Sequence, residues 1–283
     1  MLVKALNSLE SYVAYLGDQP LPVLRRSKRE LAQLREREDS VSGREIARVV
    51  LQDPLLAVRV LGHIEAHRRA SQNNDITTVS HAIMMMGITP FFEKFCDLPE
   101  LEKHLSGIPQ ALLGVMKVIT RSYRAAHFAH DWAMARHDVD IDEITVAALL
   151  HDMAEIVCWV YCPGLSLRLR ELLRANRGMR TAVAQEQIFN VTAHELQLAL
   201  AHAWRLPKLL IDLMNDTNAD HPRVRNVVLA VNLARHSSKG WDDPAIPDDL
   251  AGVEELLHIS HESLLKRLGL PVPTDRADEG QTQ

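Results

Sequence analysis

Ala147-Ala148-Leu149-Leu150-His151-Asp152-Met153-Ala154-Glu155 sets two adjacent metal-capable side chains inside an otherwise apolar run. Neighbouring positions on a helix point about 100° apart, so His151 and Asp152 do not face each other, yet both reach one ion beside the helix end. The pair alone is not a site. A metal hydrolase takes at least three protein ligands, so the others must come from elsewhere in the chain. A purely structural reading has His151 packing or capping while Asp152 bonds local backbone. Both readings stand on this stretch alone.

Working outward, the pattern is helical throughout. The first twenty residues predict a short helix closed at Gly17-Asp18-Gln19-Pro20, and Leu24, Leu31 and Leu34 mark an amphipathic helix with a charged, solvated outer face up to Glu38. Ser42, three residues before Glu45, matches a capping box, and Asp53-Pro54 reads as an N-cap with proline at the first helical position. Ser71 to Asp75 reads as a loop. A Met-rich face follows from Val79 to Gly87, and a long helix runs from Ala111 to about Arg136. Ile144 to Tyr161 is then expected as one helix carrying the central pair, ended by Pro163-Gly164. Further helices are expected at Leu165–Ala175, Ala182–Phe189, Ala193–Ala203, from Pro207, at Val227–Ala234 and at Val253–Leu268. No alternating strand pattern and no fixed repeat occurs, so the class is all-α. The architecture expected is a multi-helix bundle of two packed subdomains, residues 1–110 and 111–270, with a disordered tail at 271–283.

Composition narrows the function classes. The chain of 283 residues is 47% hydrophobic and 24% charged, with a formal net charge of −5. That balance disfavours nucleic acid and anionic membrane as main partners. Cys96, Cys158 and Cys162 are few and odd in number, which fits a reducing cytoplasm; Cys158 and Cys162 read as helix-face residues, since no second pair completes a zinc site. A signal peptide is not expected, nor a stretch approaching the roughly 18 apolar residues of a membrane span, and a cytoplasmic location follows as the expectation. His194-Glu195 and His202 lack the His-Glu-x-x-His spacing, and no phosphate-cradling glycine loop or Gly-x-Ser-x-Gly elbow is present.

Taken in order, these pieces resemble the HDOD family, relatives of the HD phosphohydrolase superfamily. The matching residues are Leu21-Pro22 with the charged helix after it, Ile46 through Asp53-Pro54-Leu55-Leu56 with Val60-Leu61, and Ala82-Ile83 with Gly87. In the second half they are the Tyr123–Ala129 helix, Ala148-Leu149-Leu150-His151-Asp152, and Phe189 through Leu196 leading to Trp204-Arg205-Leu206-Pro207. The resemblance implies an all-helical fold and a second half related to HD enzymes. In active HD enzymes an upstream His and a late Asp complete the metal site. Alignment to that pattern sets Ala125 at the first position and Ala230-Val231-Asn232 at the second, so His151 and Asp152 stand as vestigial metal candidates. His127 and His130, at i, i+3, are weak substitutes for the upstream ligand. Where related phosphodiesterases carry paired His after Trp-x-Leu-Pro, this chain reads Met214-Asn215-Asp216-Thr217-Asn218. His194 keeps a position where the family pattern often has His, and its structural reading is a helix-start His bonded to a carbonyl.

Two functions follow from the resemblance. The favoured one is a non-catalytic signalling or scaffold module in bacterial signal transduction, without a cofactor or catalytic residue, acting on regulatory protein partners and leaving open a nucleotide ligand. The alternative is a phosphohydrolase of nucleotides or cyclic dinucleotides using a divalent metal such as Fe, Mn or Zn bound at His151 and Asp152.

Overall fold

Local capping sets most helix starts. In a computed structural model describing residues 1–67, 78–176 and 178–272, Ser8 caps α1 (Leu9–Gly17), and Ser42 and Glu45 close a full capping box on α3 (Gly43–Val50). Between them lies α2 (Arg25–Arg35), and α4 (Pro54–His67), α5 (Val79–Met86), α6 (Ile88–Phe95) and α7 (Leu101–His104) complete the first half. Asp53 does more than cap α4. Its buried carboxylate accepts from Leu56 N at 3.2 Å and from Leu24 N at 2.7 Å, tying the starts of α4 and α2 together. Burial pushes its pKa up to about 6 against the pull of those same bonds. Gly87, at φ 88°, separates α5 from α6, a backbone conformation that side chains with a Cβ rarely adopt.

The long α8 (Pro109–Ala135) is the axis of the second half. Around it pack α9 (Ile141–Leu150), α10 (Met153–Tyr161) and α15 (Pro222–His236). Outside these come α11 (Pro163–Ala175), α12 (Thr181–Phe189), α13 (Ala193–Ala203), α14 (Lys208–Leu213), α16 (Ile246–Leu257) and α17 (His261–Arg267). No strand occurs among the described residues; the only pairings of that kind are isolated bridges, Val23 with Glu100 and Ser238 with Gly240. One hydrophobic core runs from Tyr12 to Leu265 through both halves. Chain entry is woven in too: α1 packs on α13, and Leu2 N donates to Tyr161 O at 2.7 Å.

Several expectations change. Ile144–Tyr161 is two helices, not one, because the chain turns at His151 and Asp152 between α9 and α10. Pro163-Gly164 opens α11 at its first positions rather than merely ending a helix, as suits a residue without an N–H. Val253–Leu268 is divided into α16 and α17 by His258, in the left-handed region at φ 54°. By length and composition, Ile141–Tyr161 does pass as a membrane-span candidate, against the expectation from the sequence. It is broken at His151-Asp152 and buried in the fold. The Ser71–Asp75 loop, Arg177 and the tail from 273 lie outside the described residues.

Candidate functional site

The break between α9 and α10 is held open by a side chain. Gln197, buried on α13, accepts from Ala154 N at 2.8 Å and donates to Leu150 O at 3.0 Å, satisfying backbone groups that a continuous helix would have paired. The turn leaves His151 and Asp152 buried, 9% and 8% exposed, on the side facing α8 and α15. Asp152 does not bond local backbone through its side chain. Its Oδ2 accepts from Arg121 Nε at 2.8 Å and Nη2 at 2.6 Å, and its Oδ1 lies 3.3 Å from Arg235 Nη2. Arg121 also donates to Glu155 Oε2 at 2.7 Å, one turn further along α10. His151 turns the other way, with Nε2 2.8 Å from Asp216 Oδ1, while its Nδ1 stands 3.6 Å from Asp152 Oδ1, too long for a hydrogen bond.

The charges balance within this cluster. Burial alone pushes the Asp152 carboxyl up, but the Arg121 and Arg235 guanidinium groups and His151 hold it well below the usual carboxylate range. Burial likewise disfavours the His151 imidazolium, and the Asp152 and Asp216 carboxylates outweigh it, raising the pKa to about 9. Asp216 is pulled down by His151, His194 and Arg235 against its own burial. With His151 protonated, three cations (Arg121, Arg235, His151) therefore meet three carboxylates (Asp152, Glu155, Asp216).

A divalent metal does not fit this arrangement. Between His151 and Asp152 Oδ1 it would have to displace Arg235 and take the proton from His151, and it would still lie beside the Arg121 guanidinium on Oδ2. Among the described residues no group of three or more His, Cys, Asp and Glu side chains is placed to hold a metal. His127 is exposed on α8, and His130 bonds Thr145 Oγ1 at 3.2 Å, so neither joins His151 and Asp152. His194 does approach the cluster, its Nδ1 3.6 Å from Asp216 Oδ2, but neither ring nitrogen has a hydrogen-bond partner, so the expected carbonyl bond is absent.

Arg121, Arg235, Asp216, Glu155 and Gln197 carry no role in the sequence reading. Arg121 precedes Ala125 by one helical turn, and Arg235 follows Asn232 by three residues, so each lies near a position where an enzyme would place a metal ligand. That proximity is the one signal from which they were findable.

The fold and this cluster define an all-α protein with an HD-type His-Asp pair at the junction of two helices. The chain belongs to the HDOD domain family, whose model matches residues 21–219. Among solved structures it is similar to the MmoQ response regulator of Methylococcus capsulatus str. Bath, with a TM-score of 0.67 and 18% identity over 89% of this chain and 99% of that one. It is also similar to a virulence factor from Campylobacter jejuni subsp. jejuni, with a TM-score of 0.63 and 16% identity over 93% and 92% of the two chains. At those identities the likeness shows the fold. No curated protein matches the chain.

Proposed function

We propose that this HDOD protein is a non-catalytic signalling module, a helical scaffold that presents its surfaces to regulatory protein partners. The observation that carries the proposal is the Arg121 guanidinium seated on Asp152 and Glu155 at 2.6 to 2.8 Å. The carboxylate of the His-Asp pair is thereby part of the fold's internal ion network, which supports a reading without an exchangeable ion at this place. The similar fold of the MmoQ response regulator supports a signalling role.

Metal content and hydrolysis test the proposal together. Protein purified without chelator should contain far less than one equivalent of Fe, Mn or Zn. It should not hydrolyse nucleotide monoesters or cyclic dinucleotides above background when Mn²⁺ is supplied. A stoichiometric metal that disappears in His151→Ala, accompanied by turnover that disappears with it, would establish the phosphohydrolase instead.

A further inference from the structure

Arg59 and His63 sit one turn apart on α4, both partly buried, and unlike Arg121 they have no ion-pair carboxylate among the described residues. The Arg59 guanidinium has five N–H donors, of which Nη1 bonds Leu21 O at 2.8 Å. Its pKa is lowered by burial, opposed by the Tyr161 hydroxyl. His63 is lowered by burial and then by the neighbouring His67 and Lys94. Arg59, His63 and Lys94 line one cleft of about 290 Å³ with Gln19, Phe95 and Trp204, and among the described residues none in its wall is acidic.

Two fixed cations, Arg59 and Lys94, in a concave, partly dry place without a carboxylate among the described residues of its wall favour an arriving anion, which would in turn favour a proton on His63. The rest of the wall adds an apolar side. Phe95 is buried and lies edge-on to His63, with ring centroids 5.8 Å apart, and Trp204 carries a buried indole N–H that has no partner. The volume is near the lower end of small-ligand pockets, about 300–1,000 Å³. We propose that this cleft binds a small phosphate monoester carrying a flat ring, the phosphate held by Arg59, His63 and Lys94 and the ring lying against Phe95 and Trp204. Guanidinium and ammonium groups suit that dianion through charge-assisted hydrogen bonds.

The cleft lies on a seam of the fold. Arg59 and His63 come from α4, Lys94 from α6, Gln19 from the link after α1, and Trp204 from the end of α13. At Gly62 the two sides meet so closely that a Cβ would fall 2.4 Å from Trp204 O. A ligand here would touch both halves of the chain at once. The assignment is independent of the chemistry at Asp152.

Titration of the full-length protein with inorganic phosphate and, separately, with AMP tests the proposal, read by NMR of 13C-labelled histidine. The His63 ring should shift with both probes and titrate at higher pH when either is bound. AMP should bind about tenfold tighter than phosphate. Lys94→Gln, at an exposed position, and His63→Gln should each weaken AMP about fivefold or more, with the melting curve of Lys94→Gln unchanged. Absence of a His63 shift at about 10 mM of either probe, or equal AMP affinity in Lys94→Gln, would overturn the site. Equal affinity for phosphate and AMP would overturn its ring-binding half. Turnover of AMP in the same samples would sink the non-catalytic reading while leaving the binding site standing.

Discussion

Protonation of His151 couples the buried ion network to pH. Its folded pKa of about 9 lies above the ordinary value of 6.5, so the folded protein keeps a proton that the unfolded chain releases. The stabilisation is complete below about pH 6.5 and is lost as pH rises through about 9, on the order of 3 kcal/mol. Urea midpoints at pH 6 and pH 9.5 should therefore fall further in the native protein than in His151→Ala, the difference isolating this group from other titrations. At pH 6 the variant should be less stable by about 1–3 kcal/mol, because Asp216 loses its buried partner. Equal pH slopes in the two proteins would remove the coupling. Asp152 is bound more tightly into the fold than His151, since its Oδ2 takes a two-pronged Arg121 contact and its Oδ1 a third bond from Arg235.

At the scale of elements, close approach of α8 and α10 decides how the site is presented. Gly114 on α8 faces the Trp159 ring on α10, and a Cβ there would lie 2.6 Å from ring atom Cζ3. Trp159 has little freedom to retreat, because it is buried and Arg170 of α11 lies over its ring at 5.4 Å from the centroid. Gly114→Ala is expected to destabilise by about 1–3 kcal/mol through overpacking, whereas Gly164→Ala, on a helix with open space beside it, is expected to be neutral or to stabilise by up to about 1 kcal/mol. Thermal melts of the two variants check this. Similar melting points would mean that Trp159 moves aside freely. The same packing carries Arg121 to Asp152, so the Gly114 variant should also reduce the sensitivity of stability to His151.

Across the whole molecule, contacts between the halves outnumber what a flexible joint would need. Tyr161 Oη donates to Pro20 O and Tyr123 Oη to Gln52 O, while α1 lies on α13 and α4 against α9. Single-phase unfolding is expected, with far-UV and near-UV signals coinciding, because Trp132 is buried in α8 and reports on the shared core. A first transition confined to the 1–110 half, or its release by limited proteolysis as a separately folded fragment, would show the halves to be autonomous.

The sequence by itself determined the helical class, the family and most helix starts, because those are written locally. Ser42 with Glu45 and Thr192 with Glu195 each close a capping box over three residues, and α13 spans the Ala193–Ala203 expected from its pattern. It also singled out His151 and Asp152 as polar residues in an apolar run. Their fate was decided only in three dimensions. The partners that close the centre come from Arg121, Asp216 and Arg235, at separations of 31, 65 and 83 residues, and Gln197 reaches Leu150 across 47. Local periodicity reports which face of a helix is buried, but not which buried face meets another. For that reason the single helix read over Ile144–Tyr161 is broken by an amide from α13, and a carboxylate read as a vestigial metal ligand is answered by arginines. The energy of a buried charge depends on the groups within a few ångströms of it, and only packing brings those groups together.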